Sequence, residues 1–183
     1  MMKGVTKMAE YLMGIDAGTG SVRVALFDFR GQNRAYAVAE YGTTYPKNGW
    51  AEQSDYEWFE ALKKAIPECI KKAGIAADNI AAITCDATTN TLVYLDENDT
   101  SVRPPILWMD VRATEEASFI DTIREEYDAT KFYKPGFRAD TMVPKCMWVK
   151  KNEPENWAKT KTIMEFEDWL NWKLTGRKTV SMS

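Results

Sequence analysis

The 183-residue sequence contains no histidine and only three cysteines. The missing histidine excludes Ser-His-Asp and Cys-His catalysis and removes the commonest zinc ligand. Any acid–base chemistry must therefore use carboxylates, lysine or tyrosine. The cysteines Cys69, Cys85 and Cys146 have no metal-ligand spacing and cannot all pair, which favours free thiols in a cytoplasmic protein.

Long apolar runs and an excess of charge are also missing. No run approaches the roughly 20 apolar residues that cross a bilayer, and residues 1–10 have no apolar stretch typical of a signal peptide. We expect those ten residues to form a loose leader. The net charge of −3 predicts neither a nucleic-acid nor a membrane partner. Length and composition are typical of one globular domain.

The stretch Gly14 to Arg23 lies between two short apolar runs and predicts a strand, a tight turn and a second strand. Gly18 and Gly20 permit backbone angles denied to other residues and leave room for a ligand. Turn amides can converge on an anion, with Thr19 and Ser21 as hydroxyl donors. If that anion is a phosphate, Asp16 can hold a hydrated magnesium ion beside it. By itself the pattern is more often that of an ordinary turn.

Two familiar phosphate motifs do not match this stretch. The dinucleotide fingerprint requires a third glycine and a following helix, whereas position 23 is arginine and a strand is predicted to follow. The Walker motif requires a lysine that this turn lacks.

Further helices and strands are predicted from the spacing of apolar residues and from residues that begin or end such elements. Residues 34–41 predict a third strand of an antiparallel meander. Ser54 and Glu57 predict a capping box for a helix that Pro67 should kink and Gly74 should end. Strands are predicted at 80–85, 91–95 and 162–165. Helices are predicted from Asp110 towards Tyr127, at 142–150 and at 166–174.

Two polar segments are candidates for binding a polyol. Asp86, Thr88 and Thr89 are predicted to lie in a turn between strands, where a carboxylate and hydroxyls suit sugar hydroxyls; the alternative is an Asp-initiated turn. Trp108 offers a flat apolar face and Asp110 an acceptor. The alternative there is a core tryptophan followed by an ordinary helix cap, with Arg112 in solvent.

The order of these motifs resembles the FGGY family of carbohydrate kinases. The similar segments run from residue 11 almost to the end and keep the family's order: 14–23, 49–53, 83–89, 106–112, 144–148 and 168–176. The resemblance implies an α/β fold, a ribonuclease H-like (actin-like ATPase) lobe. Its mixed sheet would have three antiparallel first strands and helices on both faces.

The resemblance also implies transfer of the ATP γ-phosphate to a sugar hydroxyl, with magnesium. Asp16 would lie near the metal, and the cofactor-binding residues would be Asp16, Gly18, Thr19, Gly20, Ser21 and Arg23. The sugar-binding residues would be Asp86, Thr88, Trp108 and Asp110. The partner is then a small-molecule sugar, and the question of whether the chain forms a homo-oligomer stays open.

The wording of the first sugar loop, Asp86 to Thr88, resembles ribulokinase-type pentulose kinases. Xylulose and glycerol kinases typically show other residue pairs near there, which weighs mildly against both. Glycerol and autoinducer-2 stay open as acceptors.

The family pattern extends further than Ser183. Its second actin-like domain and the aspartate that serves as general base would follow there, so no catalytic residue is assigned within this chain. We expect residues 11–183 to be an incomplete N-terminal domain that is inactive alone, since phosphoryl transfer needs two closed lobes. A non-catalytic sugar-binding or regulatory remnant and an actin-like scaffold fragment are the alternatives.

Overall fold

The computed structural model describes residues 10–127 and 136–180. The leader predicted at 1–10 lies outside this range apart from Glu10, whose N–H donates to the Asn79 carbonyl at 2.8 Å. The chain divides into two compact units. The first contains residues up to 41 and 56–87, and the second contains residues 42–55 and 88 onwards. Among the described helices, none is long and apolar enough to cross a membrane.

The first unit is built on a four-stranded mixed sheet of order β3-β2-β1-β4. Its strands are β1 (Tyr11–Ala17), β2 (Ser21–Asp28), β3 (Asn33–Glu40) and β4 (Ile80–Ala87). The first three strands pair antiparallel, as predicted, and β4 pairs parallel with β1. The two sheet faces differ because side chains alternate along a strand. Met13, Ile15, Val24 and Leu26 are buried, whereas Leu12 and Tyr36 are exposed.

Helix α1 (Asp55–Ala73) connects β3 to β4 and follows the predicted bounds closely. Its buried stripe includes Trp58, Leu62 and Cys69, and the Cys69 thiol lies against the backbone of Leu26. The helix continues through Pro67 to Ala73, so the kink or lost hydrogen bond expected there stays a prediction.

The second unit contains a two-stranded sheet and four α-helices within its described residues. The strands are β5 (Leu92–Leu95) and β6 (Thr162–Glu165), which pair antiparallel. The helices are α2 (Thr114–Ile123), α3 (Met142–Asn152), α4 (Pro154–Lys159) and α5 (Phe166–Thr175). Gly176 ends α5 in the left-handed conformation, as predicted, with φ of 71°.

Two boundary predictions are corrected by the structure. The turn predicted from Asp86 begins later, because β4 extends through Asp86 to Ala87, held by its parallel pairing with β1. Asp110 does not cap α2, since that helix begins at Thr114 without a side-chain cap. The carboxylate of Asp110 is directed instead into the interior of the second unit.

A buried ion-pair network surrounds Asp110. Its Oδ2 accepts from the Ala51 N–H at 2.6 Å and from Arg112 Nη2 at 2.7 Å, and its Oδ1 accepts from Arg112 Nε at 2.9 Å. Glu52 Oε1 lies 2.8 Å from Arg112 Nη1 and 2.6 Å from Arg103 Nη2. These contacts join the segment around Ala51 to the segment around Asp110.

Aromatic rings complete the surroundings of Arg112. Its guanidinium carbon lies 4.0 Å from the ring centroid of Trp50 and 5.0 Å from that of Trp148. Burial opposes the charge, but hydrogen bonds from Arg112 to Asp110 and Glu52 prevail and raise the pKa of Arg112 above its ordinary value. Arg112 is therefore a buried structural cation, not the solvated residue of the alternative interpretation.

We expect Asp110→Ala to lower the free energy of unfolding by about 3–5 kcal/mol, because it leaves Arg112 buried beside an incomplete set of partners. Asp86→Ala is the matched control: its carboxylate is exposed, and we expect a change within about 0.5 kcal/mol. Denaturant unfolding followed by tryptophan fluorescence measures both. The double variant with Arg112→Met should lose less than the sum of the single losses. A loss below about 1 kcal/mol for Asp110→Ala would refute the structural role of the pair.

Candidate functional site

The turn between β1 and β2 is held by bonds to its own backbone and by Tyr41. The Gly18 N–H donates to the Ser21 carbonyl at 3.0 Å, and the Tyr41 N–H donates to the Gly20 carbonyl at 3.2 Å. The Tyr41 hydroxyl donates to the Gly18 carbonyl at 2.5 Å. Burial raises the pKa of Tyr41 well above its ordinary value, with Asp16 adding to the shift, so this hydroxyl stays protonated.

Gly18 and Gly20 do not use the left-handed backbone angles that glycine permits. Neither residue has a positive φ. The predicted room for a ligand is present at Gly20, where an added Cβ would meet no atom within 4 Å. At Gly18 an added Cβ would lie 3.1 Å from Arg23 Nη1, the end of a flexible side chain.

The carboxylates of Asp16 and Asp86 belong to neighbouring strands. The two residues are Cα partners in the parallel β1–β4 register, so their side chains lie on the same face near the ends of both strands. Asp16 Oδ2 lies 2.9 Å from Arg23 Nη1, and this contact raises the pKa of Arg23. The Asp86 carboxylate has no partner among the described residues.

A cavity of about 340 Å³ opens on this face of the sheet. Asp16, Arg23 and Asp86 contribute its charged groups, and Phe27 and Tyr36 contribute aromatic rings. The remaining lining residues are Gly14, Ile15, Ala25, Thr84 and Cys85. The cavity therefore has polar groups beside the strand ends and apolar surface elsewhere.

The donor set of the first unit suits magnesium better than a transition metal. Among the described residues no group of three His, Cys, Asp or Glu could enclose a metal ion. Magnesium is usually held by one or two carboxylates, water and substrate phosphates, and so does not need such a group. Asp16, the predicted metal-side residue, offers one carboxylate of this kind.

In the second unit, Thr88 and Trp108 are joined through one hydroxyl. Thr91 Oγ1 lies 2.9 Å from Thr88 Oγ1 and accepts from the Trp108 N–H at 3.2 Å. The Trp108 side chain is 43% exposed, so the alternative of a core tryptophan is wrong.

The remaining candidate, Asp110, has no exposed surface, and both of its carboxylate oxygens are occupied by the network described above. It supports the Trp108 segment from inside the second unit. Direct contact between Asp110 and a sugar hydroxyl stays a prediction.

Two residues at the candidate site carry no signal in the sequence. Tyr41 was predicted only as the end of a strand, and its bond to the Gly18 carbonyl depends on the β2–β3 pairing. Lys145 lies in a segment that the family resemblance includes, but periodicity could not show that its Nζ bonds to two distant carbonyls.

Known proteins match most of the chain. The xylulose kinase of Lactococcus lactis is 34% identical over 166 residues, which are 91% of this chain and 33% of that protein. The glycerol kinase of Mycoplasma pneumoniae is 30% identical over 182 residues, covering 92% of this chain and 34% of that protein. The chain thus spans about a third of the length of the curated relatives it matches.

The fold is that of the actin-like ATPases. The crystal structure of xylulose kinase from Rhodospirillum rubrum superposes with a TM-score of 0.83 at 24% identity, covering 93% of this chain and 36% of that chain. The model of the N-terminal domain of the FGGY carbohydrate kinases matches residues 11–183. The chain therefore belongs to the FGGY family of carbohydrate kinases, and it corresponds to the N-terminal domain of that family.

Proposed function

We propose that this chain is the first lobe of an ATP-dependent kinase that phosphorylates a hydroxyl of a sugar, of the pentulose class. The observation that carries the proposal is the pairing of Asp16 with Asp86 on adjacent parallel strands, beside the open turn at Gly20. A carboxylate for a metal, a carboxylate for a sugar hydroxyl and amides for phosphates then belong to one edge of one sheet. Phosphoryl transfer depends on such positioning and charge compensation.

The turn would bind the β and γ phosphates. The backbone of Gly18 to Ser21 and the hydroxyls of Thr19 and Ser21 would supply the donors, and Asp16 would lie on the metal side. Bound magnesium would neutralise charge on the phosphate oxygens. Arg23 is exposed and forms an ion pair with Asp16. If Asp16 bound the metal instead, the Arg23 guanidinium would be able to turn towards a phosphate.

Asp86 is the sugar contact that we propose for the first unit. For the second unit, taken by itself, we propose Thr88 and Trp108, with Asp110 supporting Trp108. A carboxylate and a hydroxyl suit sugar hydroxyls, whereas the indole suits the apolar side of a sugar ring or chain. The xylulose kinases among the relatives support a pentulose acceptor. The residues 86–88 were taken above to weigh against xylulose kinases and glycerol kinases. The matches to both kinds of enzyme do not support that argument.

We further propose that residues 11–183 act as an incomplete N-terminal domain and need a second lobe for turnover. The matched relatives are about three times longer, and none of the proposed contacts assigns a general base within this chain. The 183-residue chain alone should therefore show no phosphorylation of ketose with MgATP.

We expect Asp16→Ala to slow sugar phosphorylation by at least about tenfold in an enzyme that contains this chain as its first lobe, because the metal-side carboxylate is lost. Asp86→Ala should cause a loss of similar size. Steady-state assays with xylulose, ribulose and glycerol measure the effects and rank the acceptors. Asp28→Ala is the matched control, since Asp28 lies at the other end of β2. Full activity in both site variants would exclude the assignments.

Gly20→Ala tests the phosphate turn separately. The new methyl group would meet no protein atom, so we expect an unchanged free energy of unfolding. A phosphate against this backbone would lose its space, and the KM for ATP should rise by about tenfold or more. The KM for the sugar serves as the internal control and should stay within about twofold. An unchanged KM for ATP would show that no phosphate approaches Gly20.

A further inference from the structure

Lys145 on α3 is fully buried, which is unusual for a lysine. A buried ammonium group normally requires a carboxylate partner, yet no described carboxylate forms an ion pair with it. Burial lowers the pKa of Lys145 to about 8. Nearby Asp110, Asp140 and Glu165 counteract that shift, and Arg112 adds to it.

The Nζ atom of Lys145 bonds instead to two backbone carbonyls. It donates to the Asn90 carbonyl at 2.5 Å and to the Leu107 carbonyl at 2.8 Å. Asn90 follows the proposed sugar residue Thr88, and Leu107 directly precedes the proposed sugar residue Trp108. One side chain thus joins two segments that are distant in the sequence. Thr91 and Trp108, which belong to the same two segments, are 17 residues apart.

The backbone at Asn90 is bonded through both its N–H and its carbonyl. Its φ of 55° is a left-handed conformation, which asparagine adopts more readily than most residues other than glycine. Its N–H donates to Glu165 Oε2 at 3.1 Å, while its carbonyl accepts from Lys145. The N–H and the carbonyl of Asn90 therefore each have a side-chain partner, and both partners hold this conformation.

Thr91 provides a second connection between the same segments, through Thr88 Oγ1 and the Trp108 N–H. Thr91 has no exposed surface. Neither Lys145 nor Thr91 can therefore contact a ligand directly, and both act on the loop that carries Thr88 and on the segment that carries Trp108.

We propose that Lys145 is a positioning residue, which fixes the loop 88–91 against the segment 107–110 so that Thr88 and Trp108 are presented to a sugar in one arrangement. This inference rests on the proposed sugar-binding role of those two residues. It assigns no direct chemistry to the buried ammonium group.

Hydrogen exchange on the 183-residue chain tests the mechanical part. We expect Lys145→Met to speed amide exchange in 88–91 and 107–110 by about tenfold or more, with the first unit and α5 unchanged. Lys145→Gln keeps a shorter donor, so we expect a smaller increase in exchange. This variant also serves as the test if the methionine variant does not fold. Lys150→Met, an exposed lysine on the same helix, is the matched control. Unchanged rates, or faster exchange throughout the second unit, would overturn the proposal.

Kinetics of an enzyme containing this chain as its first lobe test the functional part. Lys145→Gln should raise the KM for the sugar by about tenfold and leave the KM for ATP within about twofold. An unchanged sugar KM would overturn the positioning role. Failure of the underlying function would be recognised separately, because the unaltered enzyme would then not phosphorylate any sugar.

Discussion

Burial of positive charge governs the second unit. Arg103, Arg112 and Lys145 are all buried, and a buried cation is costly unless its donors find partners. The two arginines share Glu52, and Arg112 also pairs with Asp110. Lys145 uses backbone carbonyls instead. Because these partners come from distant parts of the sequence, satisfying the cations brings the segments 50–53, 90–91 and 106–112 together.

The first unit relies on a different constraint, the parallel pairing of β4 with β1. That pairing aligns Asp86 with Asp16 near the strand ends, next to the turn braced by Tyr41. Backbone hydrogen bonds thereby place the two carboxylates on adjacent strands, and Arg23 pairs with Asp16. The sheet provides a rigid platform for these groups.

Local patterns predicted the elements well where the physical signal was local. The meander of β1 to β3, helix α1 and the glycine end of α5 follow from alternation, helical spacing and turn residues, and all three are confirmed. The helix cap predicted at Asp110 was wrong because that side chain has distant partners. Asp110 has the spacing of a helix cap, but Arg112 and the Ala51 N–H outcompete the helix for its carboxylate.

The sequence by itself determined the family, the order of the strands and of the helices other than α4, and the types of residue at the candidate site, because these depend on motifs and short-range periodicity. Only the tertiary structure decided which candidates are exposed. Trp108 and Asp86 lie at the surface, whereas Asp110 is enclosed. It alone identified Tyr41 and Lys145 as supports for the candidate loops, since bonds between residues tens of positions apart leave no periodic trace in the sequence.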